Sequence, residues 1–433
     1  MKYDISKSTA PAMPRLGTGT ELVKLLLTQV SKDMREPIVP MIFPVLGAHL
    51  SGVEFQYPDL SWKEPCGMMA NLVAESGGNK GQLSNLVEAL CRDFRSHDDE
   101  ELKKLIEWQK QMKTKSANKE KPVRPEVAFW FPPADVTNAA FIQNAMACES
   151  LGGRTQYLNM PEVEMADRMC GGHKQISQMM RNIYDRQRMG ALRATADGVT
   201  GNPLMRVNMT ISSTPFASRK FYKNDLFNGT FGRMVFSYKA RTGRDGRIPR
   251  QGRYDDAFLK KVDEYLVRLD ICKGRFVIRQ LNNLIDRLAQ DMATLADLVD
   301  DDVLWDMSKR ALVTAWKAGC ILWVLNSQQW TTAMGTLVEW LVYHDIWSKV
   351  QLFEDLLKEG DKGLSEAKGG VKNMLESLPD TFSVAQLEAL RVEMGKDKDA
   401  GQQLRTWVHR GFITHSNQTG LYSKTQEYLN RNK

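Results

Sequence analysis

The chain has 433 residues, a net charge of +7 and 42% hydrophobic residues, too long for one core and long enough to fold without staples. Its six cysteines (Cys66, Cys91, Cys148, Cys170, Cys272, Cys320) form no C-x-x-C pair, which speaks against a disulfide framework or a zinc cluster and for a reducing compartment. Residues 1–20 lack an apolar leader, and the most apolar stretch, 38–53, carries Pro40, Pro44 and His49 and is too short to span a bilayer. A cytoplasmic protein with no membrane partner is therefore expected.

The arm at residues 1–20 (Pro11, Pro14, Gly17, Gly19) reads as irregular chain that docks on a neighbour, followed by a helix over 21–32 with Leu22, Leu25, Leu26 and Val30 on one face. An apolar run at 67–73 then enters AESGGNKGQ (74–82), and Leu83, Leu86, Val87 and Leu90 give a helical pattern over 82–94. Strand, loop, helix is the order of a phosphate-binding loop. There, glycines turn backbone N–H groups around phosphate oxygens, a lysine reaches the β/γ-phosphates and a hydroxyl holds Mg²⁺. The pattern G-x-x-x-x-G-K-[ST] falls on Ala74, Asn79, Lys80 and Gly81, so the lysine alone survives of the fixed positions. Asn79 tolerates a left-handed backbone. Ser76, Gly77, Gly78, Asn79, Lys80, Gly81 and Gln82 are the candidate nucleotide-binding residues, against the plainer reading of a Gly-rich turn with a solvated lysine.

Residues 97–124 are charged and Lys-rich and read as a projecting helix with a flexible tail. A helix over 137–149 is capped by Asp135 or Thr137. The run at Tyr157 ends in Pro161, where an ATPase carries its Mg²⁺ carboxylate, and Glu162 follows as a candidate base. Residues 205–215 read as a buried strand ending in Ser212, Ser213 and Thr214. A strand over 233–238 begins at Arg233, a candidate phosphate-directed arginine in cis or from a neighbouring subunit.

Charge is uneven: residues 181–253 hold 15 Arg or Lys against 4 Asp, a surplus of 11 that leaves the rest of the chain at −4. This suits a polyanion surface, or else pairing with acidic helices near 297–306. Arg181, Arg186, Arg188 and Arg193, then Arg241, Arg244, Arg247, Arg250 and Arg253, lie in Gly-punctuated stretches that read as loops tracking a phosphate backbone, with Tyr184 to stack. Cys170 and His173 have C-x-x-H spacing but no second pair, so no metal site is expected.

Residues 255–357 are almost continuously helical by pattern, with Trp305, Trp316, Trp323, Trp330, Trp340 and Trp347 as core aromatics. Past a Gly/Lys-rich linker at 359–370, three short helices (371–378, 383–394, 400–410) precede a hairpin with its tip at 417–420. That is the order of a winged helix, whose third helix enters a major groove. Gln402, Gln403, Arg405, Thr406, His409 and Arg410 are its candidate DNA contacts.

With Pro-Arg-Leu-Gly17, the Ser212-Ser213-Thr214-Pro215 strand end, Gly232-Arg233 and the 378–382 segment (LPDTF), nearly the whole chain resembles a family of P-loop domains of unknown function from primase-helicase proteins of bacterial mobile elements and phages. The resemblance implies an α/β fold: an arm and helix (1–36), a RecA-like P-loop NTPase core (37–253) with a charged helical insertion (97–124), a helical region (254–358) and a winged-helix domain (370–433). It matches Lys80 to the loop lysine, Glu162 to the acid of the second strand and Arg233 to a strand arginine. ATP, DNA, further copies of the chain and other proteins of the same element are the implied ligands and partners. Ala74, Asn79, Gly81 and Pro161 depart from the pattern, so weak or absent ATP binding and a lost Mg²⁺ site are expected. Three readings follow: a DNA-binding protein acting in replication, excision or transfer of an element, with a degenerate ATPase; an active, DNA-stimulated hexameric helicase-type ATPase; and an oligomeric adaptor without catalysis.

Overall fold

Residues 5, 7–114, 121–169, 173–192, 198–226, 229–240, 251–361 and 373–431 are described by the computed structural model, and they form a mixed α/β protein. The arm leads to α1 (Glu21–Leu26), two 3₁₀ turns and α2 (Arg35–His49). After β1 (Val53–Gln56) and β2 (Trp62–Lys63), β3 (Met69–Ala74) runs through the loop into α3 (Gly81–Leu90) and the long α4 (Arg92–Thr114). Then come α5 (Asn138–Ser150), β4 (Gln156–Met160), α6 (Val163–Arg168), α7 (His173–Tyr184), β5 (Val207–Ser213), α8 (Pro215–Tyr222), α9 (Thr230–Arg233) and β6 (Val235–Lys239). The second half is α10 (Asp256–Ile271), β7 (Gly274–Phe276), α11 (Arg279–Val299), α12 (Asp302–Leu325) and α13 (Thr332–Asp361).

The central sheet has the order β4-β5-β3-β6 with every pair parallel. All residues of β3 and β5 are buried, as a parallel sheet covered on both faces requires. One cover is α2, with 13 of its 15 residues buried despite Pro40 and Pro44 in its interior. Polar strand side chains tie it down: Asn208 Nδ2 donates to Pro44 O at 2.9 Å and Ser237 Oγ to Pro37 O at 2.8 Å. Gly47 permits the approach, since a Cβ there would lie 2.8 Å from Asn208 Nδ2.

β6 is an edge strand, and its outward N–H groups need acceptors. They find them on α13: Phe236 N donates to Asp345 Oδ1 at 2.8 Å and Tyr238 N to Ser348 Oγ at 3.0 Å. The same helix holds the arm. Trp340 Nε1 donates to Pro11 O at 2.7 Å, and Trp347 Nε1 to Lys7 O at 2.9 Å. A buried indole N–H needs a partner, and irregular backbone supplies free carbonyls. The arm thus docks on its own chain, where a neighbour was expected.

The C-terminal unit comprises α14 (Met374–Ser377), β8 (Thr381–Phe382), α15 (Val384–Glu393), α16 (Gly401–His409), β9 (Ile413–His415), β10 (Tyr422–Lys424) and α17 (Gln426–Arg431), with an antiparallel sheet ordered β8-β10-β9. Ser383 and Gln386 form a capping box at the start of α15. Phe382, Leu387, Leu404, Trp407 and Phe412 build its own apolar cluster. It rests on α11, where Asp297 pairs with Arg410 at 2.6 Å and accepts from Trp407 Nε1 through its carbonyl at 3.2 Å.

Candidate functional site

From β3 the chain passes to β4 on one side, returns to β5, and then crosses to β6 on the other. The carboxyl end of β3 is therefore the point where the connections change side, the usual ligand crevice of an open α/β sheet. The 75–80 loop lies there. Gly77 (φ +76°) and Asn79 (φ +63°) both take left-handed conformations, and Gly78 N closes a turn onto Glu75 O at 2.9 Å. Gly78 is sterically required, because a Cβ would sit 2.8 Å from Glu75 O. Lys80, the residue before α3, gives that helix no side-chain cap, so its first turn relies on backbone or ligand partners.

Lys80 folds back over the loop, donating from Nζ to Ala74 O at 2.9 Å and Glu75 O at 3.3 Å. Burial lowers its pKa, opposed by the charges of Glu75, Glu162 and Glu164. Glu162 follows Pro161 at the end of β4, so the two candidates share one edge of the sheet, with β5 between their strands. At the end of β5, Ser213 Oγ donates to Asn71 Oδ1 at 2.9 Å and Thr214 caps α8.

A second lysine, overlooked in the sequence, completes this edge. Lys239, the last residue of β6, reaches Gly78 O at 3.3 Å and forms an ion pair with Asp33. Burial raises the Asp33 pKa, but the Lys239 and Ser31 hydrogen bonds outweigh it and the carboxyl titrates below its ordinary value. A lone lysine at a strand end carries no motif; only the register of β6 beside β3, with Lys239 opposite Ala74, reveals it.

Several expected site residues are committed elsewhere. Gln82 is buried, with Oε1 accepting from Ser31 N at 2.8 Å and Nε2 donating to Ser31 Oγ at 2.9 Å. Its amide ties α3 to the chain before α2 and is not free for a nucleotide. Arg233 ends α9 and does not begin a strand. It lies before the amino end of β6, about 20 Å from the loop edge at 3.3 Å per residue. Its guanidinium bonds Gly229 O at 2.7 Å and Asp185 at 2.7 Å and is only 13% exposed. These contacts oppose a phosphate role in cis and leave little of the group for a neighbour.

The basic stretch divides similarly. Arg181 lies on α7 and donates to Ser177 Oγ at 3.0 Å and Thr230 Oγ1 at 2.9 Å. Arg186 and Arg206 clamp Glu64 at 2.8 and 2.9 Å. Arg188 meets Glu149 at 3.4 Å with 56% of its side chain exposed, and Arg253 meets Asp255 at 3.3 Å with 87% exposed. Bridges Arg188↔Leu204 and Ala191↔Gly201 make a hairpin base packed on Met146 where a free loop was expected. Arg193, Arg241, Arg244, Arg247 and Arg250 fall outside the described residues, as do Cys170 and the His173 side chain.

On α16, Gln402, Arg405, Thr406 and His409 recur at i, i+3, i+4 and i+7 and form one outward face, with Thr406 half-buried. Gln403 is buried and accepts from Arg391, and Arg410 is bound to Asp297, so neither belongs to that face.

No family model matches the chain, and no curated protein matches it. Among solved structures, one titled SCCmec type IV Cch, an active helicase, aligns with a TM-score of 0.33 at 12% identity, over 96% of this chain and 73% of that one.

Proposed function

We propose that this chain is a DNA-binding protein of a mobile genetic element, with a RecA-like core that keeps the shape of a P-loop and lacks most of its chemistry. The observation that carries the reading is the 75–80 loop: two left-handed residues and a lysine at the carboxyl edge of a buried parallel sheet, opening into the first turn of α3. Such a cradle fits phosphate. It does not fit Mg²⁺, because Gly81 offers no hydroxyl and Pro161 no carboxylate. A polyphosphate must also displace Lys80 from the Ala74 and Glu75 carbonyls. ATP would bind weakly and turn over slowly or not at all. The mobile-element assignment rests on the sequence resemblance.

The C-terminal unit has the helix and hairpin order of a winged helix, with α16 presenting Gln402, Arg405, Thr406 and His409 to a groove and the β9–β10 hairpin beside it. Arg188 and Arg253 would add backbone contacts. Fluorescence anisotropy with duplex and single-stranded DNA tests this: affinity should fall steeply from about 50 to 200 mM salt. Binding that is absent, or flat over that range, overturns it.

A second reading, an active DNA-stimulated ATPase, draws support from Glu162 and Lys80 sharing one edge. It requires DNA-dependent turnover that is lost in Lys80→Ala and Glu162→Gln. No turnover with DNA present removes it.

A further inference from the structure

The geometry points to a divalent transition-metal site formed by His49, Asp93 and Asp270, three residues far apart in sequence and remote from any metal motif. His49 ends α2 and is fully buried. Its Nε2 lies 2.9 Å from Leu90 O. A carbonyl only accepts, so Nε2 carries the proton and Nδ1 is the nitrogen turned to the carboxylates. Nδ1 is 3.3 Å from Asp270 Oδ2 and 3.8 Å from Asp93 Oδ2, and the three ligand atoms all lie within 4.8 Å of one another. Metal bonds of about 2.0–2.2 Å place tetrahedral ligand atoms about 3.3–3.6 Å apart, close to the two separations from Nδ1.

The surroundings match what a ligating histidine requires. Its other ring nitrogen donates to a backbone carbonyl, and Asp270 is itself oriented by Arg154, whose Nη2 donates to Asp270 Oδ1 at 2.8 Å. Asp93 and Asp270 line a cleft of about 280 Å³ that has room for water ligands. One imidazole with two carboxylates selects Zn²⁺ or Mn²⁺ over Ca²⁺. Bound there, the ion joins α2, α4 and α10, linking the cover of the sheet to the second half of the chain. The competing account is a doubly protonated His49 ion-paired to Asp270, which needs no metal.

Calorimetric titration of ZnCl₂, then MnCl₂, into the EDTA-treated full chain decides between them. One saturable site per chain is expected, with a melting temperature raised by the metal. Asp93→Asn should weaken binding at least ten-fold, while Asp263→Asn, in the same cleft but paired with Arg92, should not. His49→Gln removes the buried ligand but threatens the core, so the exposed Asp93 is the decisive position. No saturable binding, or binding unchanged in Asp93→Asn, overturns the proposal.

Discussion

Lys80 Nζ donates to the carbonyl oxygen of Ala74 at 2.9 Å, so the loop lysine is held by the end of the strand that leads into its own loop. Any phosphate must compete with that bond and with the Glu75 carbonyl. Lys80→Ala should therefore cost about 1 kcal/mol or less of stability, because it removes hydrogen bonds at a half-buried edge, while reducing ATP affinity at least ten-fold. Calorimetry with ATP beside a urea melt separates the two effects. Equal affinity in the variant would show that nucleotide does not use this loop.

Asp345 serves two buried partners, the Phe236 N–H at 2.8 Å and Lys349 Nζ at 2.9 Å. Removing it leaves an unpaired ammonium and an orphaned N–H at the sheet edge. Asp345→Ala should destabilise the fold by about 3 kcal/mol, read as a lower urea midpoint. A loss under about 1 kcal/mol would mean that β6 does not depend on α13 for its edge.

His344 is buried, and burial lowers its pKa to about 3. Its Nε2 meets Ser237 Oγ at 2.9 Å, the Ser237 hydroxyl donates to Pro37 O, and Nδ1 has no partner. The folded protein therefore holds a neutral ring, whereas the unfolded chain protonates it near pH 6.5. Stability from this residue is complete above that value and is lost as pH falls toward 3, by at most about 1.4 kcal/mol per pH unit. Urea midpoints at pH 7, 6 and 5 should fall less steeply in His344→Gln than in the parent.

Where a residue's role follows from its neighbours in sequence, it was legible. The strand, loop and helix around Lys80, the helices of the second half and the order of the C-terminal elements all follow from period and turn chemistry. What depends on register or on distant partners was hidden. Lys239 reaches the loop only because β6 pairs with β3. Arg233 precedes β6 and so lies at the end of that strand opposite the loop edge. Gln82 looked like part of the loop until Ser31, 51 residues away, claimed its amide. Two of the arginines in the basic stretch have a similar fate: Arg181 and Arg186 are consumed by Ser177, Thr230 and Glu64.

The outward face of α16 gives the sharpest separation of binding from folding. Arg405 is exposed, whereas Arg410, five residues on, is paired with Asp297 of α11. If α16 enters a groove, Arg405→Ala should weaken DNA binding and, as a phosphate contact, lower the salt slope by about 1, with the unfolding midpoint unchanged. Arg410→Ala should do the reverse, sparing DNA affinity and loosening the C-terminal unit on α11 by at most about 1 kcal/mol, since the pair is partly exposed. Anisotropy across a salt series, with melts of both variants, reads the two effects independently. Equal loss of DNA affinity in both would place the nucleic acid across the α11 junction, away from the α16 face.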